Sequence, residues 1–242
     1  MEVASPEPHR HVNNIEPIPA CHWCRGCVVG LCMALAGCHS APSLQEPLNL
    51  SQAKAAVSHY QDSGAYARDL QQSADLARHW IEERCARRAA GERLAVVFDI
   101  DETLLSNAPL IRRLDYAYLA PEWVAWVDSA EAPAIEPVRA LYRRCLELGL
   151  EVFLITGRRD PSDRPATVVN LRRQGLEGYA ELILAQPGER ALSTTQRKSG
   201  ARAAIEARGY IIIANVGDQE SDLRGGHSER SFKLQNPFYI ME

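Results

Sequence analysis

Residues 94–101 read LAVVFDID, five apolar side chains in a row followed by Asp99, Ile100 and Asp101. An apolar run with no polar alternation has no face for water, so it fits a strand buried on both sides. The runs GLEVFLIT (149–156) and YIIIANV (210–216) repeat the pattern. Helical stretches lie between them. Ser51 to Ala90 carries Leu70, Ala74, Ala77, Ile81 and Cys85 at three- and four-residue spacing, and Gly64 divides it into two helices. Glu136 to Leu148 has Pro137 in its first turn and Gly149 beyond its end. Arg164 to Gln174 is stopped by Gly175, and Lys198 to Arg208 by Gly209. Leu182 to Ala185 predicts a short third strand. Ser231 to Leu234 predicts a fifth near the edge, halted by Pro237.

Apolar strands alternating with helices predict an α/β fold: a three-layer, Rossmann-like parallel sheet of about five strands with helices on both faces. Residues 108–135 are a small insertion between the first strand and the next helix. The 242 residues, 46% of them apolar and 24% charged, have ordinary globular composition, and a formal net charge of −4 excludes a general nucleic-acid binder.

Asp99 and Asp101, Thr156, and Asp218 fall at the carboxyl ends of three of these strands, the edge where open α/β sheets bind ligands. Asp99 and Asp101 are two residues apart, so an extended backbone projects both to one side. Asp222 adds a further carboxylate. Carboxylates about 5 Å apart repel by about 3 kcal/mol per pair at an effective dielectric near 20, and a hard cation such as Mg2+ relieves this. Lys198, expected at a helix start, and Thr156 supply donors for an anionic substrate. Carboxylates, a hard metal, a hydroxyl and a lysine together describe phosphoryl transfer.

DIDETLLSN (Asp99 to Asn107), ITGR (Ile155 to Arg158), Lys198-Ser199 and GDQESD (Gly217 to Asp222) resemble the four ordered motifs of the haloacid dehalogenase superfamily of phosphatases. The closer likeness is to its class B-like acid phosphatases, the group of plant acid phosphatases, vegetative storage proteins and bacterial lipoprotein acid phosphatases. It runs from about Leu48 to Met241 and includes Phe232-Lys233-Leu234 and Asn236-Pro237.

The resemblance implies a Mg2+-dependent acid phosphatase acting on small phosphomonoesters, with 5′-nucleotidase activity left open. It implies that Asp99 attacks phosphorus and that Asp101 protonates the leaving alkoxide, then activates water. Asp99, the Asp101 carbonyl and Asp218 are the implied Mg2+ ligands, with Asp222 a weaker ligand or a supporting partner. Thr156, Gly157 and Lys198 are the implied phosphate binders. The family often carries Tyr before this lysine, whereas this chain has Arg197. Glu220 stands where relatives carry an apolar or aromatic residue. In the superfamily a segment such as 108–135 is a flap and cap. Trp123 and Trp126, three apart on one helical face, read either as cap-to-core packing or, with Phe238 or Tyr239, as a platform for an aromatic leaving group. Arg158 reads as a surface charge or as a substrate contact.

Two rivals stay in view. A receiver domain also joins acids, Thr and Lys on a parallel sheet, but it needs its phosphorylated Asp on a middle strand and a cytoplasmic location. Here the second strand ends in Thr156 and an export signal is expected. A non-catalytic storage or binding lipoprotein on the same fold would be favoured by loss of the nucleophile, and Asp99 is present.

Five of the seven cysteines, Cys21, Cys24, Cys27, Cys32 and Cys38, crowd the first 38 residues. CVVGLCMALA (27–36) is too short to span a bilayer and matches the core of a secretory signal, with Arg10 and Arg25 as its positive flank. Leu35-Ala36-Gly37-Cys38 resembles the lipobox of bacterial lipoproteins. That implies a signal peptide over 1–37, a lipidated Cys38, a tether over 38–47 and the catalytic domain over 48–242. His39 after Cys38 implies an outer membrane in a Gram-negative host, so the expected partners are a small phosphomonoester and, through the lipid anchor, a membrane. The thiols of Cys21, Cys24 and Cys27 are close enough to suggest a metal site, but no fourth ligand is evident. Cys85 and Cys145 are expected as core thiols.

Overall fold

A computed structural model describes residues 47–241. The expected leader, Cys38, most of the tether and the Cys21–Cys27 cluster lie outside the described residues. Two helices open the chain, α1 (Leu50–Asp62) and α2 (Ala65–Ala86). Gly64 divides them as expected, with φ +74°, a left-handed conformation that glycine adopts without steric cost. Then follow β1 (Arg93–Phe98), α3 (Ala108–Arg113), α4 (Ala120–Ser129), α5 (Glu136–Glu147) and β2 (Glu151–Arg159). Next come α6 (Arg164–Arg173), β3 (Glu181–Ala185), a 3-10 turn (Pro187–Glu189), α7 (Thr194–Ala207), β4 (Tyr210–Gly217), α8 (Glu220–Leu223) and β5 (Ser231–Lys233).

The five strands form one parallel sheet in the order β3-β2-β1-β4-β5. The chain starts at the centre with β1, moves outward to β3, then returns to place β4 against the other side of β1. Strand order therefore reverses at β1, which is where open α/β sheets leave a crevice at their carboxyl edge. The strand inferred to decide the fold is thus the middle one. Its side chains alternate between layers: Leu94, Val96 and Phe98 enter the larger core beneath α2, α5 and α6, and Ala95 and Val97 pack toward α7.

β4 carries one extra residue opposite β1, since Ala95 pairs with Ile212 and Val96 with Ala214. The carbonyl of Ile213 at this bulge accepts the Trp80 indole N–H from α2 at 2.8 Å, which satisfies a group the ladder leaves out. Cys145 is buried in the larger core and Cys85 packs against it, both as free thiols. Among the described residues no helix is long and apolar enough to cross a membrane.

One helix boundary departs from the sequence reading. α7 begins at Thr194, not at Lys198. Ser193 accepts the Gln196 backbone N–H while the Gln196 side chain accepts that of Ser193, a capping box that starts the helix four residues upstream of the expected position. Lys198 is consequently in the second turn, where it is buried.

Candidate active site

β1, β2 and β4 are neighbours, so their carboxyl ends deliver the singled-out residues to one place. Asp99 continues the ladder by one bond, its N–H donating to the Val216 carbonyl at 3.0 Å, and so ends up beside the end of β4. After it the chain wraps around the Ile100 carbonyl, which accepts the N–H groups of Thr103, Leu104 and Leu105. Glu102 takes φ +56° within this turn.

Lys198 reaches in from α7 and bonds Asp99 Oδ1 and Asp222 Oδ1, each at 2.5 Å. Oxygens of Asp99, Asp218 and Asp222 lie within 4.8 Å of one another, and all three residues are buried. Burial opposes the charge on Lys198, but Asp99 and Asp222 outweigh it and hold the ammonium above its ordinary pKa. Burial drives the Asp99 carboxyl well above the usual carboxylate range; Lys198 opposes this, and Asp222, Asp218 and Asp101 add to it. The cluster holds more negative charge than one lysine neutralises.

Asp101 turns elsewhere. Arg158 clamps its carboxylate with two nitrogens, Nε to Oδ2 at 3.1 Å and Nη2 to Oδ1 at 2.8 Å, and Asn107 donates to Oδ1 at 3.0 Å. Burial would raise this carboxyl, but Arg158 and Asn107 outweigh it and keep it below its usual range. Arg158 is buried and also donates to Thr167, so it is neither a surface charge nor free to leave Asp101. Thr156 is fully buried, and its hydroxyl accepts the Arg158 backbone N–H at 3.1 Å. Arg197, which replaces the expected tyrosine, bonds the Thr156 carbonyl at 2.8 Å from its place on the cavity wall.

Asp222 uses both oxygens within the protein. Oδ1 meets Lys198 and Oδ2 accepts the Gln219 N–H at 2.9 Å, and its side chain lies against Gly217 so closely that a Cβ there would sit 2.6 Å away. Arg202 on α7 holds the loop behind it, donating to the carbonyls of Asp222, Arg224 and Gly226. Glu220, by contrast, is exposed at the start of α8.

These groups open into a cavity of about 680 Å³. One pole carries Asp99, Asp101, Gly157, Arg158, Lys198 and Asp218. The other is apolar, with Leu110, Ile111, Leu119, Trp123 and Val124 from the 108–135 segment, and Phe238 and Met241 from the chain beyond β5. The two tryptophans part company. Trp123 lines the cavity beside Tyr118, while Trp126 packs against the core and donates its indole N–H to Asn107 Oδ1 at 2.7 Å.

A parallel sheet reversing at β1, with acids and a lysine at its carboxyl edge, is the architecture of the haloacid dehalogenase superfamily. A family model described as "HAD superfamily, subfamily IIIB (Acid phosphatase)" matches residues 36–242, and the chain belongs to that family. It is 42% identical over 149 residues to acid phosphatase 1 of Solanum lycopersicum, across 60% of this chain and 58% of that protein. It is 34% identical over 153 residues to the stem 28 kDa glycoprotein of Glycine max, across 60% and 59%. Vegetative storage protein 1 of Arabidopsis thaliana is 36% identical over 149 residues, across 60% and 54%. The chain thus spans less than two thirds of the length of these plant relatives. The class C acid phosphatase from Bacillus anthracis with tungstate bound superposes with a TM-score of 0.66 at 21% identity, covering 79% of this chain and 86% of that one. At that identity the likeness speaks for the fold.

Proposed function

We propose that the protein is an acid phosphatase that hydrolyses small phosphomonoesters through an aspartyl-phosphate on Asp99. Family membership supports the reaction class. The observation that carries the mechanism is the close grouping of Asp99, Asp218 and Asp222 around a single lysine. The excess negative charge and all-oxygen donors fit a hard divalent cation, and Mg2+ is the fitting one. Asp99, Asp218 and the Asp101 carbonyl would hold it. Asp222, with both oxygens engaged, serves to orient Lys198. When bound, the cation neutralises phosphate charge in the transition state.

The protein's own groups divide the remaining work. Lys198, the Thr156 hydroxyl and Gly157 bind the non-bridging oxygens. An Asp99 oxygen forms a bond to phosphorus as the ester P–O bond breaks, and the leaving oxygen takes a proton from Asp101. Because Arg158 holds that carboxyl below its usual range, only its protonated fraction, which grows as pH falls, serves this step. Asp101, now a carboxylate, removes a proton from water, whose oxygen attacks phosphorus and breaks the Asp99–phosphorus bond. Arg158 aims that carboxylate. The apolar pole of the cavity receives the leaving group, with Trp123 as its wall.

A second reading rests on the name of the Arabidopsis relative: a storage or binding protein on this fold. Retention of Asp99 with its lysine weighs against it. The test is a panel of aryl phosphates, nucleotides and sugar phosphates assayed from about pH 4 to 8 with and without Mg2+. Turnover that chelation removes and Mg2+ restores supports the enzyme; none with any ester supports storage. Asp99→Asn should abolish turnover, and because Asp222 still pairs with Lys198, it should leave the cation-free thermal midpoint close to wild type.

For location, we propose export and attachment through lipid on Cys38, a feature separate from the catalytic groups, since every site residue lies beyond position 98. Mass spectrometry of the Cys38 peptide from an expressing Gram-negative host, with outer-membrane fractionation, tests this; an unmodified thiol refutes it.

A further inference from the structure

Beyond β5 the chain, Leu234 to Met241, folds back over the carboxyl edge of the sheet. Asn236 Nδ2 donates to Asp218 Oδ2 at 2.7 Å, and Gln219 Nε2 donates to the same oxygen at 2.6 Å. Among the described residues the other oxygen, Oδ1, accepts only the Thr103 hydroxyl, at 3.1 Å. Both amides are locked in these orientations. Asn236 Oδ1 accepts the N–H groups of Phe238 at 2.8 Å and Tyr239 at 3.4 Å, which leaves its NH2 facing Asp218. Gln219 Oε1 accepts the Met241 N–H at 2.9 Å, which turns its NH2 the same way. The strap is fastened further by Ser221, which donates to the Met241 carbonyl at 3.1 Å, and by Phe238 packed edge-on to Tyr66. Tyr239 donates to Glu102, whose same oxygen also accepts from Asn107.

We propose that Asn236 is a positioning residue for cation binding: with Gln219 it occupies both lone pairs of Asp218 Oδ2, so that Oδ1 is the oxygen presented to the metal. A carboxylate has two oxygens and about four acceptor sites, and it can rotate to offer either oxygen unless donors fix it. Here two donors saturate one oxygen and a single hydroxyl touches the other. Partners that orient metal-binding carboxylates are worth about 10- to 100-fold in affinity. The inference rests on the reading of Asp218 as a cation ligand. It also gives the strap a purpose that its distance in sequence from the other motifs conceals.

The test measures cation binding without substrate. Mg2+ is titrated calorimetrically into the full chain, and thermal unfolding is followed with and without Mg2+. Asn236→Ser keeps a short acceptor for the turn N–H groups but does not reach Asp218. It is expected to weaken Mg2+ binding at least about tenfold while the cation-free midpoint stays close to wild type. Wild-type Mg2+ affinity in this variant overturns the proposal and leaves Asn236 a structural role only. Absence of Mg2+ binding by the wild-type protein overturns the cation reading itself, and the inference with it. Should Asn236→Ser not fold, Gln219→Met removes the other donor to the same oxygen: a comparable loss supports the proposal and an unchanged affinity overturns it.

Discussion

Arg158 stands 57 residues from Asp101 in the chain, yet its guanidinium meets that carboxylate through two nitrogens in a buried pair. Removing one member of such a pair strands the other, at a cost of about 3–5 kcal/mol. Arg158→Leu should therefore lose about that much in urea unfolding, and Arg158→Lys should recover only part, because an ammonium cannot reproduce the two-nitrogen clamp. Gly217 is a second sensitive position, for reasons of space. Gly217→Ala drives a methyl into Asp222, and Asp222 orients Lys198. A displacement of this kind near the reacting centre should cost on the order of 100-fold in kcat, read by steady-state assay. The acids and Lys198 were legible from motif and strand-end position. The Arg158 clamp was not, because nothing local in ITGR distinguishes an exposed arginine from one paired across the sheet.

Elements explain where the sequence reading stopped. Apolar runs predicted β1, β2 and β4 to within a few residues because a strand buried on both faces announces itself in composition alone. The start of α7 was misplaced because its polar first turn carries no apolar period and is set by the Ser193 capping box. That shift has a consequence for the site. With α7 beginning at Thr194, Lys198 and Arg202 stand four residues apart and both point inward, one to the carboxylates and the other to the loop that carries Asp222. Arg202 donates to three carbonyls of that loop and shares only that of Asp222, with Asn215. Arg202→Met should leave the Arg224 and Gly226 carbonyls without a donor and lower stability by about 2 kcal/mol or more, at roughly 1–3 kcal/mol for each orphaned group. Chemical denaturation measures it, and a loss under 1 kcal/mol would mean that the loop holds itself.

At the scale of the molecule the cavity has two poles built from different parts of the chain. The charged pole belongs to the strand ends, and its residues carry motifs. The apolar pole is assembled from 108–135 and from the chain beyond β5, about 120 residues downstream, so its existence depends on tertiary proximity that no local pattern records. The two tryptophans of that insertion separate recognition from positioning. Trp123 faces the cavity, whereas Trp126 bonds Asn107, which in turn bonds Asp101. Trp123→Ala should raise KM for an aryl phosphate about tenfold, equivalent to roughly 1.4 kcal/mol of lost contact. It should change KM for glycerol phosphate by less than about twofold, since that leaving group does not reach the ring. Trp126→Ala should instead lower kcat for both esters by a similar factor, because the damage passes through Asn107 to Asp101, the proposed proton-transfer group, whatever the leaving group is. Equal effects of the two variants on both substrates would mean that the insertion acts only as a packed wall, and that the apolar pole selects nothing.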